Sequence, residues 1–195
     1  MRGESLANLL DTERRLLRRQ RITVLNTSEI DYGDMNELVE DILIMSYENK
    51  EPIRVLITSP GGRIEPGLAG IRAIREAQDK GVKIIGEVFG QAESMAFFLL
   101  QSCDERIASK ESVLMYHGFT DVSSGDLRKR RSQDKLLKDL QLYLAELCAE
   151  KNTSKEEDYH NLNFWLEILE DETPTYVNSQ EALEMGLIDK VKGNA

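Results

Sequence analysis

The apolar positions of this chain alternate between two periods. "RITVL" (21–25), "IRVLIT" (53–58) and "VKIIGEVFG" (82–90) are short runs rich in β-branched residues and predict strands. Between them, "DMNELVEDILIMSYE" (34–48) carries Leu38, Ile42 and Met45 at helical spacing. "IEPGLAGIRAIREAQ" (64–78) does the same with Ile64, Leu68, Ile71 and Ile74. "SPGG" breaks the second strand. After the third strand the polar turn "GQAE" leads into a helix from Ser94 that carries the apolar run Met95–Leu100. Two short strands, 105–109 and 112–118, come next. Such β-α-β-α units predict an α/β class with a mostly parallel sheet and helices on its faces.

The pattern then changes. Residues 125–151 predict one long charged helix with Leu137, Leu140, Leu144 and Leu147 at 3-4-3 spacing, a packing seam. Leu136 and Tyr143 widen its apolar side. The breadth of that stripe suggests contact with another subunit; the alternative is a hairpin with the next predicted helix, 154–169. The chain closes with "TYVNSQEALEMGLIDKV" (175–191): a strand-like start, a helix and a final strand. Asn178 and Glu181 have capping-box spacing, and Gly186 fits a helix stop.

The 195 residues are 41% apolar and 31% charged, enough for one compact domain over 21–195 with a helical segment, 1–20, before it. A net charge of −10 argues against nucleic acid and anionic membrane as partners. The arginines of "ERRLLRRQR" (13–21) and "LRKRR" (127–131) read as solvated helix faces or subunit contacts. Cys103 and Cys148, with no CxxC, suggest buried thiols in a reducing compartment. His117 and His160 lack the spacing of a zinc site, so no metal is expected. Charges interrupt 1–20 and no apolar run spans a bilayer, so the expected location is cytoplasmic.

Three features fall near the C-terminal ends of predicted strands, where open α/β sheets place their sites. The adjacent glycines of Ser59-Pro60-Gly61-Gly62 let backbone N–H groups point outward, as an oxyanion hole needs. Ser94 sits at a strand-to-helix turn, where it reads either as an N-cap or as a nucleophile. The amide of Met95 could face an oxyanion there, although the strict GxSxG elbow is absent. His117 closes the strand "SVLMYHG", and apolar neighbours such as Leu114 and Met115 favour a neutral imidazole able to act as a base. His160 reads as a solvated helix residue. From the residues alone, a hydrolase pair of Ser94 and His117 and two structural side chains remain open.

"LITSPGGRIEPGLAGIRAI", "GQAESMAFFLL", "SVLMYHG" and "SQEALEMGLIDKV" resemble, in order and spacing, the motifs of the ClpP family, the proteolytic subunits of ATP-dependent Clp proteases. The resemblance runs from about Arg21 to Val191 and includes the family's protruding handle helix. It implies a ClpP/crotonase-type fold of repeated β-α-β units and a serine endopeptidase without metal or organic cofactor. It implies homo-oligomers of stacked heptameric rings that cut peptides or unfolded proteins. It assigns Ser94 as nucleophile, His117 as general base, and the amides of Gly62 and Met95 as the oxyanion hole. For the triad acid, a gapless count back from "GLID" (186–189) lands on Pro174. The nearest acids are Asp171, favoured because its short side chain is the family's chemical type, and Glu172, one residue closer to the expected position; a dyad is the third option.

The chain also departs from the family. Glu93 stands where the family has a small residue, and reads either as a charge turned away from the site or as a group that alters substrate entry or the pKa of His117. The segment "MRGESLANLLDTERRLLRRQR" differs from the family's axial hairpin, which puts a Clp-type ATPase partner in question. Two other readings are a structural ring subunit that cuts poorly or not at all, and a crotonase-type acyl-CoA enzyme.

Overall fold

The computed structural model describes residues 6–118, 127–154 and 157–193. Its elements are helix α1 (Leu6–Arg19), strand β1 (Ile22–Asn26), α2 (Tyr32–Glu48), β2 (Ile53–Ser59), α3 (Ile64–Asp79), β3 (Ile84–Glu93) and α4 (Met95–Gln101). Then come β4 (Glu105–Ser109), β5 (Val113–Tyr116), α5 (Leu127–Lys151) and a 3-10 turn (Glu157–His160). The last four are α6 (Leu162–Glu170), β6 (Thr175–Asn178), α7 (Ser179–Glu184) and β7 (Lys190–Lys192).

Among the described residues the strands make one seven-stranded sheet, with β1-β2-β3-β4-β7 running parallel. The expected α/β class with a mostly parallel sheet is therefore present. The periodicity explains the helices. Met35, Leu38, Ile42 and Met45 of α2, and Ile71 and Ile74 of α3, are buried. Helix α4 is buried on all sides, including Phe97, Phe98, Leu99 and Leu100. Each such side chain contributes about 1.5–3 kcal/mol by leaving water, which fixes the helix that starts beside Ser94.

Three expectations about elements need correction. Strand β3 does not end at Gly90. It runs to Glu93, because its last residues leave β4 and pair in parallel with β5, Gln91 to Val113 through Glu93 to Met115. The helix expected over 154–169 is broken. Asn161 caps α6 by accepting from the Asn163 amide, and only Leu162–Glu170 is α-helical beyond it. The leucine seam of the long helix is partly internal. Leu144 and Leu147 are buried within this chain, where α5 packs against α4 and α6, and Leu137 and Leu140 are half-buried; Leu136 and Leu142, beside the seam, are exposed. The hairpin reading thus holds for the second half of α5. The expected start of that helix, at 125–126, lies outside the described residues.

The basic cluster at 13–21 is also more internal than expected. Arg14 and Arg18 pair with Asp41, whose side chain is buried and also accepts from the Thr23 hydroxyl. Arg21 donates to the carbonyls of Met45, in the last turn of α2, and of Glu51, beyond its end. The side chains of 127–131 lie outside the described residues. At the far edge of the sheet, buried Arg106 joins Asp189 to Gln101 and ties the "GLID" segment to β4. The capping box of Asn178 and Glu181 is present as expected, and Gly186 follows the helix at φ +71°.

Candidate active site

Ser94 lies between β3 and α4 with φ 51° and ψ −121°. A non-glycine residue there carries roughly 1–3 kcal/mol of strain. It makes no side-chain capping bond, so the cap reading fails on geometry. Its amide donates to the Met115 carbonyl at 2.8 Å, which pins the turn to β5. Its hydroxyl instead meets His117 Nε2 at 2.9 Å. Behind the histidine, Tyr116 is buried against Phe97 and Trp165, and that burial pushes its phenol pKa up to about 12.

The glycine loop is locked against this turn. Gly61 has φ +94°, and a Cβ there would stand 2.7 Å from Ser94 Cβ and 3.0 Å from the Met95 nitrogen. Gly62, at φ +148°, forms a bridge with Ile30. In that bridge Ile30 N donates to the Gly61 carbonyl and Arg63 N to the Ile30 carbonyl. The Gly62 N–H is left facing the other way, without a protein acceptor among the described residues. Met95 is the first residue of α4, where the amide has no intrahelical acceptor. The structure thus brings a serine hydroxyl and an imidazole together beside the glycine loop and the first amide of α4. Ser59 supports the loop by accepting from the Gly61 amide.

Asp171 enters the site differently from expectation. Its carboxylate accepts from the Thr173 amide at 2.8 Å, and that bond holds its pKa below the usual carboxylate value. No carboxylate among the described residues hydrogen-bonds His117; its Nδ1 meets the carbonyl of Gly118 instead. Asp171 contributes its backbone, since its carbonyl accepts from the Gly118 amide at 2.8 Å. A Cβ on Gly118 would collide with the Leu169 carbonyl. This clamp was missed in the sequence; its signal is the glycine that directly follows the histidine in "MYHG". His160 is distant in role, its Nε2 meeting the Ser154 carbonyl. Among the described residues no group of three or more His, Cys, Asp or Glu is placed to hold a metal ion, and no helix is long and apolar enough to cross a membrane.

The Clp protease family model matches residues 3–195. The chain belongs to the Clp protease family. It is 30% identical over 193 residues to ATP-dependent Clp protease proteolytic subunit 2 of Cutibacterium acnes, covering 97% of this chain and 85% of that protein. The subunit 2 of Thermobifida fusca is 31% identical over 187 residues, 94% of this chain and 85% of the relative. That of Chlamydia abortus is 31% identical over 201 residues, 100% of this chain and 88% of the relative. As a Clp protease proteolytic subunit, the chain is by family a peptidase. These matches favour neither the crotonase-type reading nor that of an inactive ring subunit.

Proposed function

We propose that this Clp-family subunit is a serine-type endopeptidase with Ser94 as nucleophile and His117 as general base. The observation that carries the reading is the 2.9 Å contact from Ser94 Oγ to His117 Nε2, made by a serine held at a strained elbow. With Nδ1 protonated and bonded to the Gly118 carbonyl, the Nε2 lone pair is left for the serine proton. Ser94 Oγ attacks the peptide carbonyl while His117 takes its proton. The oxyanion receives the N–H groups of Gly62 and Met95. His117 then protonates the leaving amine, the acyl-enzyme forms on Ser94, and water releases it by the same steps in reverse order. Side chains and backbone amides supply every role, so the reaction calls for no metal or organic cofactor. Asp171 supports the pair through its backbone clamp on Gly118.

The substrates are peptides or unfolded chains. Members of the family form oligomeric rings and work with Clp ATPases. We extend the ring assembly to this chain as stacked heptamers, consistent with the exposed Leu136 and Leu142 of α5, and a Clp-type ATPase as the source of unfolded substrate. Hydrolysis of a fluorogenic peptide tests the chemistry. Ser94→Ala and His117→Ala should each lower kcat by about 10³-fold or more, and the double variant should fall little further, because the two act as a unit. Ser94→Ala protein that still cuts at the wild-type rate would overturn the assignment.

A further inference from the structure

Strand alternation sorts the residues around Ser94 by sheet face. Ala92 and Leu114 pair across β3 and β5, and both are fully buried on the core side. Tyr116 is on that side too, packed on Phe97 and Trp165. The intervening positions therefore face the other way: Glu93 on β3, Met115 on β5, and His117 one step beyond the end of β5. Met115 pairs with Glu93 in parallel and with Tyr176 of β6 in antiparallel register. Glu93, Met115 and Tyr176 thus form a row across neighbouring strands, on the face that carries His117. With strands about 4.8 Å apart, the row spans roughly 10 Å. Met115 is almost covered, at 7% exposure, whereas Tyr176 is open at 60%.

Glu93 is the unusual member. Other carboxylates on the sheet are neutralised: Glu87 lies between Arg54 and Lys192, and Glu105 between Lys83 and Lys190. Glu93 is half-buried, and its carboxylate makes no ion pair or hydrogen bond among the described residues. A partly desolvated, unpaired carboxylate gains most from a cation brought by a ligand. Directly before Ser94, such a cation must come with the peptide. Lysine and arginine side chains match the row. Their apolar stems can lie against the open Tyr176 ring while the charged end reaches the carboxylate.

We propose that Glu93 is a specificity-determining residue that selects lysine or arginine beside the scissile bond. The inference rests on Ser94 being the nucleophile. The test is a set of fluorogenic peptides differing only in one flanking residue: lysine, arginine, norleucine, glutamine or glutamate. Wild-type protein should prefer the basic residues over norleucine about tenfold in kcat/KM, and high salt should shrink that ratio. Glu93→Gln should bring the ratio close to one, and Glu93→Lys should turn the preference toward glutamate. A purely structural role for Glu93 predicts no such inversion. A wild-type ratio near one overturns the proposal, as does a basic preference that survives both substitutions. Ser94→Ala run in parallel separates the two claims. If it still cleaves, both the nucleophile assignment and this subsite fall. If cleavage depends on Ser94 but ignores charge, the subsite alone falls.

Discussion

At the scale of single residues, the site is held by backbone as much as by side chains. The φ of 51° at Ser94 and of +94° at Gly61 are paired requirements, since only a residue without Cβ lets the loop lie against the serine. His117 is placed by Gly118, and Gly118 by the Asp171 carbonyl. Two substitutions separate backbone from carboxylate. Asp171→Asn keeps the clamp and can still accept from Thr173, so kcat should stay within about threefold of wild type. Gly118→Ala drives a Cβ into the Leu169 carbonyl and should lower kcat by about 10²-fold or more, the cost of a misplaced catalytic group. A fall of about 10³–10⁴-fold in Asp171→Asn, the size expected when a triad aspartate is neutralised, would show that the carboxylate swings onto His117. Ser94 and His117 were legible as candidates from their positions at strand ends. Whether Ser94 capped the helix was not, because a hydroxyl before an apolar run looks the same in either role until φ is known. The engagement of Asp171 by the amide two residues on is a local pattern already written in "DET".

At the scale of elements, the β-α alternation was readable because buried faces impose their period on the sequence. Misreadings arose where tertiary contact overrode local pattern. Gly90 and Gln91 resemble a turn, yet β5 supplies a partner and the strand continues to Glu93. Residues 154–169 look helical throughout, but Asn161 starts a new helix and sets Trp165 into the core. In α5 the 3-4-3 leucines turn inward in the second half of the helix, and the leucines beside that seam stay exposed. Leu144 and Leu147 face the chain's own core, whereas Leu136 is 58% and Leu142 39% exposed. Replacing both exposed leucines by aspartate should leave the monomer's melting temperature nearly unchanged, since surface substitutions cost little. It should reduce the particle size seen by sedimentation if this surface joins subunits. Rings of unchanged size would place the subunit contact elsewhere.

At the scale of the whole molecule, the buried apolar helix α4, the glycine loop and the β5–β6 pair converge on one end of β3. The sheet provides the rigid frame, and the segments leaving its strands carry Ser94, His117 and the glycine pair, at the end of the sheet where α/β proteins place their sites. The fold also secures its N-terminal helix, through Arg14 and Arg18 on the buried Asp41. Basic residues in an acidic chain thereby serve internal packing. Whether Ser94 is the nucleophile is tested most directly by a fluorophosphonate probe, with the labelled residue located by mass spectrometry. A probe adduct on Ser94 that disappears in His117→Ala is the expected result. Folded protein of native size that never labels, or that labels only at another residue, would contradict it.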